Sequence, residues 1–141
     1  MILLDTNVVS EPLKLTGDMG VLTWIDAQII ETLYLSTISL AELRFGIAAL
    51  PSGKRKDTLH TSLEQRILPL FAGRILPFDA AASEAYAVLR ARARAQGKTI
   101  SPADGYIAAT ATTHGLIVAT RDTGPFEAAG LTVINPWHTQ H

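Results

Sequence analysis

The chain has 141 residues, of which 48% are hydrophobic, and carries 12 Lys and Arg against 13 Asp and Glu, a net charge of −1. This length predicts one compact domain, residues 1–141, and the balanced charge excludes a polycation that binds nucleic acid indiscriminately. The absence of cysteine excludes disulfides and thiolate metal sites. Because no apolar run approaches the roughly 18 residues of a membrane span and the first residues lack a signal-peptide pattern, we expect a cytoplasmic protein.

Strand and helix patterns alternate along the first half of the chain. In order, they predict a strand at 2–4, a short helix or turn at 5–15, a helix capped by Asp18, a strand at 33–36, a helix at 39–50 and a helix at 54–68. A strand that is apolar throughout, as the first one is, is typical of a parallel sheet buried on both faces. Ser39 is the expected N-cap of its helix, and Pro51 follows the end of that helix.

The second half continues the alternation. It predicts a strand at 74–77, an alanine-rich helix at 79–96, a helix at 101–114, a strand at 116–119, a helical turn at 125–129 and a strand at 132–134. Gly97 and Gly115 are expected at helix C-termini, while Ser101 followed by Pro102 is typical of a helix start. The whole order predicts an α/β fold, a three-layer sandwich in which helices flank a central, mainly parallel sheet of about five strands.

Four acidic residues stand directly after predicted strands or in the first turn of the helix that follows: Asp5, Glu42, Asp104 and Asp122. The carboxyl ends of parallel strands meet at one edge of a sheet, so we expect the four carboxylates to converge there. Crowded carboxylates repel one another and raise one another's pKa unless a cation lies between them, and oxygen ligands suit hard divalent cations. The four positions therefore predict a metal site.

Each acid also has a structural explanation. Asp5 could cap the helix after it, and Asp122 could be an ordinary turn residue. Glu42 and Asp104 each stand three residues after a serine, which is the spacing of a capping box. Since a helix N-terminus can hold a carboxylate without saturating its oxygens, capping and metal binding are compatible, and the joint placement of the four acids favours the metal site.

Four segments around these acids resemble the PIN-domain ribonucleases, and within that family the VapC-type toxins of type II toxin–antitoxin modules. The segments are Leu3-Leu4-Asp5-Thr6-Asn7, Ala41-Glu42-Leu43-Arg44, the stretch 103–109 and Ala119-Thr120-Arg121-Asp122. The likeness is greatest to the FitB branch, through Arg44-Phe45-Gly46, the stretch 68–78 and Asn135-Pro136-Trp137. These segments span nearly the whole chain.

The resemblance implies a PIN-like sandwich and an Mg²⁺-dependent endoribonuclease that hydrolyses single-stranded RNA, with Mn²⁺ able to substitute. It makes the four acids the catalytic and metal-binding residues. Since Mg²⁺ takes only one or two carboxylates directly, we assign Asp5 and Asp104 as direct ligands and expect Glu42 and Asp122 to bind a second ion or orient waters. Three neighbouring residues could hold such waters or a substrate phosphate, although turn and cap roles explain them about equally well: Thr6, Asn7 and Thr120. Arg121 is expected to join them at the substrate.

The resemblance also implies partners. It predicts a cognate DNA-binding antitoxin, and contact with operator DNA only through that antitoxin. We further expect a homodimer and no association with a membrane.

Two arginines near the acids, Arg44 and Arg121, could contact phosphate or balance the acidic cluster.

A non-catalytic module that binds nucleic acid or a partner helix is the alternative. In it, the acids are only caps, and two basic runs make the contacts: Lys54, Arg55 and Lys56, and then Arg90, Arg92, Arg94 and Lys98. Solvated helix faces also explain both runs. An acidic pocket without a metal would repel phosphate, so metal-dependent cleavage of RNA separates the two hypotheses. The 122–124 tripeptide of aspartic proteases is rejected, because those enzymes need two such loops on a β-rich scaffold.

Overall fold

The computed structural model of the chain describes residues 1–138, so the last three residues of the expected domain 1–141 lie outside the described residues. Its strands are β1 (Ile2–Leu4), β2 (Leu33–Ser36), β3 (Ile75–Leu76), β4 (Ile117–Ala119) and β5 (Val133–Ile134). Its α-helices are α1 (Thr6–Val9), α2 (Met19–Asp26), α3 (Thr37–Ala48), α4 (Lys54–Thr61), α5 (Ala80–Ala95), α6 (Pro102–His114) and α7 (Thr123–Ala128). None of the helices in this part of the chain is both long and apolar enough to cross a membrane.

The five strands form one sheet in the order β3-β2-β1-β4-β5, and every neighbouring pair is parallel. The chain builds the sheet outward from β1 through β2 and β3, and then returns to the other side of β1 to add β4 and β5. The order therefore reverses between β1 and β4, which is the place where parallel sheets open a crevice for ligands. The sheet confirms the predicted α/β fold.

Helices cover both faces of the sheet, in the predicted three layers. Because successive strand residues point to opposite faces, Ile2 and Leu4 pack into one core, whereas Leu3 packs into the other. The first core also contains apolar side chains of α1, α2 and α3, and the second contains those of α5, α6 and α7. With both faces buried, the sheet exposes its carboxyl edge as the surface on which polar residues can collect.

The third helix starts earlier than the sequence pattern predicts. Its N-cap is Ser36, whose hydroxyl oxygen accepts a hydrogen bond of 3.0 Å from the backbone N–H of Ser39. The prediction that Ser39 is the cap is wrong, because Ser36 is both the last residue of β2 and the cap of α3. Ser39 instead lies buried in the first turn. The capping-box spacing between Ser39 and Glu42 consequently has no capping role.

The helix predicted over 54–68 is divided into three helical types. The α-helical part α4 is followed by a π-helical segment at Ser62–Ile67 and a 3₁₀ turn at Leu68–Phe71. Pro69 lies at the start of the 3₁₀ turn and has no amide hydrogen to continue an α-helical pattern. Two further 3₁₀ turns, Glu11–Leu13 and Ile30–Thr32, occupy loops.

Candidate active site

Polar residues stand at the carboxyl ends of three adjacent strands, at the same level of the sheet. Leu4 is in register with Leu35 and with Ala119, so the next residues along the three strands are neighbours: Asp5, Ser36 and Thr120. A hydrogen bond of 2.9 Å from the backbone N–H of Asp5 to the carbonyl oxygen of Ala119 extends this pairing. The apolar parts of the three strands end at the same level, and Asp5, Ser36 and Thr120 form the floor of the site.

Asp5 is the buried acid of this site, with only 5% of its surface exposed. Its carboxylate accepts two hydrogen bonds of 2.8 Å, one from the backbone N–H of Thr6 and one from the hydroxyl of Thr120. The pKa of Asp5 is raised to about 6, chiefly by burial and to a smaller extent by the charges of Asp104 and Glu42, while the two hydrogen bonds act in the opposite direction. Two of the other three predicted acids, Asp104 and Glu42, therefore lie within electrostatic reach of Asp5.

Thr6 connects Asp5 to the start of α3. Its hydroxyl oxygen lies 2.5 Å from Glu42 Oε1 and 2.9 Å from Ser39 Oγ. Because a hydroxyl has only one hydrogen to donate, the consistent arrangement is that Thr6 donates to Glu42 and accepts from Ser39. This contact orients the otherwise exposed Glu42 side chain toward the site. Sequence reasoning missed Ser39 as a site residue, since its one signal, the spacing to Glu42, is also that of a cap.

Thr120 and Asn7 hold the loop that follows β4. The buried Thr120 hydroxyl donates to Asp5 Oδ2 and accepts from the backbone N–H of Asp122 at 3.0 Å. Asn7 Nδ2 lies 3.5 Å from the same hydroxyl, and Asn7 Oδ1 accepts from the backbone N–H of Arg121 at 3.3 Å. The two residues thus fix the positions of Arg121 and Asp122 relative to Asp5.

Asp104 and Asp122 keep their carboxylates free of capping bonds. Ser101 caps α6 as predicted, with its hydroxyl 3.3 Å from the backbone nitrogen of Asp104. No hydrogen-bond donor within residues 1–138 contacts the carboxylate of Asp104. Asp122 is exposed at the N-cap position of α7 and makes no side-chain capping bond. Its backbone is bonded to Thr120, but its charge is not among those that raise the pKa of Asp5.

The two arginines near the acids have different partners. Arg44 forms a two-point ion pair with Glu64, with distances of 2.9 Å and 2.8 Å, and this pair lowers the pKa of Glu64. Arg44 is therefore not a counter-charge of the acidic cluster. The guanidinium of Arg121 lies 5.1 Å from the centre of the Trp137 ring, and Arg121 is exposed beside Asp122. Of the two, Arg121 is the cation available to a phosphate at the site.

The donors at this site fit a hard divalent cation. They are carboxylate and hydroxyl oxygens, and the raised pKa of Asp5 reflects a burial and repulsion that a bound cation would relieve. Across the part of the chain that is described, no three Asp, Glu or His side chains are close enough together to hold an ion by themselves. A site with few direct carboxylate ligands suits a divalent cation that keeps several of its own waters.

Comparison with known proteins identifies the family to which the chain belongs. A family model described as the PIN domain matches residues 2–131, and the chain therefore belongs to the PIN-domain family. The chain is similar to the VapC ribonuclease Y4jK of Sinorhizobium fredii, with 64% identity over 137 residues that cover 97% of this chain and 98% of the relative. It is also similar to Toxin FitB of Neisseria gonorrhoeae, with 59% identity over 138 residues that cover 98% of this chain and 99% of the relative.

Solved structures extend this similarity to three dimensions. The crystal structure of FitAcB from Neisseria gonorrhoeae contains a chain with 59% identity and a TM-score of 0.95, covering 98% of this chain and 99% of that one. The structure of FitAB bound to an IR36 DNA fragment gives 57% identity and a TM-score of 0.96, covering 100% and 99%. The resemblance to the VapC-type toxins and their FitB branch is confirmed, and so is the PIN-like fold.

Proposed function

We propose that the chain is a metal-dependent endoribonuclease and the toxin of a toxin–antitoxin pair. The observation that carries the proposal is the burial of Asp5 within reach of Asp104 and Glu42, at the point where the strand order reverses. Relatives named as a ribonuclease and as a toxin, at about 60% identity over nearly the whole chain, support the same function. A non-catalytic module gives no reason to bury a carboxylate among other acids.

In this function, Asp5 and Asp104 hold Mg²⁺, for which Mn²⁺ can substitute, and Glu42 and Asp122 bind a second ion or orient waters. The cation, when bound, supplies an activated water and neutralises charge that develops on the phosphoryl oxygens. The chain's own groups preorganise the site: Thr6 and Thr120 fix both oxygens of Asp5 by hydrogen bonds. These bonds favour the ionised carboxylate, which is the form that binds a cation.

The residues beside the acids have supporting roles. Thr6 also positions Glu42, and Asn7 and Thr120 position the loop after β4. Arg121, held beside Trp137, contacts a phosphate of the RNA. Arg44 has no role at the acidic cluster because its guanidinium forms an ion pair with Glu64.

The partners follow from the same proposal. A DNA-binding antitoxin neutralises the chain, and operator DNA is bound only through that antitoxin. The structure of FitAB bound to an IR36 DNA fragment supports, by similarity, a complex that associates with DNA. The homodimer, the cytoplasmic location and the extension of one nuclease domain over residues 1–141 stay predictions.

A digest of defined single-stranded RNAs by the purified chain, freed of any partner, tests the function. EDTA should abolish cleavage, Mg²⁺ or Mn²⁺ should restore it, and Ca²⁺ should restore it poorly because it prefers a looser, higher coordination. Asp104→Asn should lose most of the activity. Asp79→Asn is the matched control, because Asp79 only caps α5 and asparagine caps nearly as well. Undiminished cleavage in excess EDTA would rule the mechanism out.

A further inference from the structure

We infer that a basic groove at the C-terminal end of α5 binds the phosphates of single-stranded RNA and leads the strand to Asp104. The inference rests on the proposed function and adds to it a path for the substrate outside the acidic site. The groove has a volume of about 700 Å³, and its polar lining is Arg90, Arg94, Lys98 and Thr99. We call it the α5 groove.

The charge of this region is unbalanced. Four of the chain's 12 lysines and arginines fall within 90–98, and no acidic residue occurs between Glu84 and Asp104. The two ion pairs found among residues 1–138 involve none of these four cations. In a chain with a net charge of −1, an uncompensated group of cations is the surface that attracts a polyanion.

The end of α5 places three of the cations in one row. Arg90 and Arg94 are four residues apart and share a helix face. At Gly97, with φ of +74°, the chain reverses, and the backbone N–H of Lys98 bonds back to the carbonyl oxygen of Ala93 at 2.8 Å. This reversal brings Lys98 beside the last helical turn. Arg92, two positions from Arg94, is exposed but does not line the groove.

Close packing of α5 against α6 places the groove next to the acidic site. A Cβ atom at Gly105, the residue after Asp104, would lie 2.9 Å from Tyr86 Cε2 and 3.2 Å from Arg90 Cδ. Arg90 is itself fixed there, since its Nη1 donates a hydrogen bond of 2.6 Å to the Tyr86 hydroxyl and its guanidinium lies 5.3 Å from the centre of that ring. One end of the α5 groove is thus beside the helical turn that carries Asp104.

A row of cations that ends at a cleavage site fits a single strand, whose successive phosphates can follow the groove while its bases stay unpaired. The salt dependence of binding measures how many phosphates are contacted, because each contact to a single strand contributes about 0.7 to the slope of log K against log salt concentration. Neutralising Arg94 and Lys98 together should therefore lower that slope by about 1.4.

The binding test uses a fluorescent 12-nucleotide single-stranded RNA, titrated in EDTA at several salt concentrations. The variant carrying both Arg94→Gln and Lys98→Gln should bind about tenfold more weakly at low salt and show the reduced slope. Arg92→Gln, which removes one positive charge from the same region but outside the groove, should bind like the unaltered chain. An equal loss in Arg92→Gln, no loss in the double variant, or stronger competition by duplex DNA or polyglutamate than by unlabelled RNA would overturn the inference.

Cleavage in Mg²⁺ separates this inference from the proposed function. For the 12-nucleotide RNA, the double variant should have a KM raised about tenfold and an unchanged kcat, since the groove binds substrate away from the reacting phosphate. A trinucleotide, too short to extend along the groove, should be cleaved equally well by both proteins. If the unaltered chain cleaves no RNA, the proposed function fails; if it cleaves and the double variant has the same KM, only the α5 groove is refuted.

Discussion

The hydroxyl of Thr120 donates a hydrogen bond of 2.8 Å to Asp5 Oδ2, across 115 positions of the sequence. The parallel pairing of β1 with β4 makes this contact possible, because each residue is the first after its strand. The bond favours the charged carboxylate and so opposes the rise in pKa that burial causes. The ionisation of Asp5 therefore depends on Thr120, a neutral residue that is not one of the four acids.

Replacing Thr120 with valine, which has the same shape and no hydroxyl, should raise the pKa of Asp5 further above about 6. The acidic limb of the pH–rate profile should move to higher pH, because more of the enzyme then holds a proton where the cation binds. The variant should also lose on the order of 1–3 kcal/mol of stability, since the backbone N–H of Asp122 loses its acceptor. Thr120→Ser keeps the hydroxyl and should retain the original profile; an unshifted profile in Thr120→Val would contradict the assignment.

Asp5→Asn should change how stability depends on pH. In the metal-free chain, the pKa of Asp5 rises from 3.8 to about 6 on folding, so between these values the folded protein holds a proton that the unfolded chain releases. The intact chain therefore loses stability as pH rises through this window, whereas the uncharged asparagine has no such loss. The free energy of unfolding of Asp5→Asn, relative to the unaltered chain, should rise by about 2 kcal/mol from pH 4 to pH 7. Urea titrations in EDTA measure this difference, and a constant difference would refute it.

The sequence predicted the fold and the place of the site because their signals are local. An apolar run followed directly by an acid, as at Leu4 and Asp5, identifies both a buried strand and a polar residue at its carboxyl end. Ser101 with Pro102 similarly identifies the start of α6 and the position of Asp104 in its first turn. Each of these predictions needed only neighbouring residues.

Contacts between distant segments could not be predicted in this way. Thr6 bonds to Glu42 across 36 positions, and Arg44 pairs with Glu64 across 20, and neither spacing has a pattern in the sequence. The pKa of Asp5 depends on how deeply the site is buried, which packing decides. The prediction for Ser39 is wrong because a serine three residues before a glutamate is the pattern of a capping box, whereas here the serine contacts Thr6 at the site.

Stabilisation by metal should depend on pH. Mg²⁺ or Mn²⁺ should raise the Tm of the chain at pH 7.5 and raise it much less at pH 5, because below about pH 6 a proton occupies Asp5 and competes with the cation. Thermal melts with and without the metal measure the shift at each pH. Asp79→Asn, outside the site, should retain the full shift, and Asp104→Asn should lose most of it. Equal shifts at both pH values would show that the cation binds elsewhere.

Gly105→Ala should destabilise the fold at the contact between α5 and α6. The added Cβ would lie 2.9 Å from Tyr86 Cε2 and 3.2 Å from Arg90 Cδ, so these packed side chains or the helices that carry them must shift, at a cost of about 1–3 kcal/mol. Gly46→Ala is the matched control: it is also a helical position, but nothing lies within 4 Å of its added Cβ, so alanine should stabilise α3 by roughly 0.5–1 kcal/mol. Urea unfolding measures both changes. Equal effects in the two variants would mean that helix propensity, rather than close packing beside Asp104, decides the result.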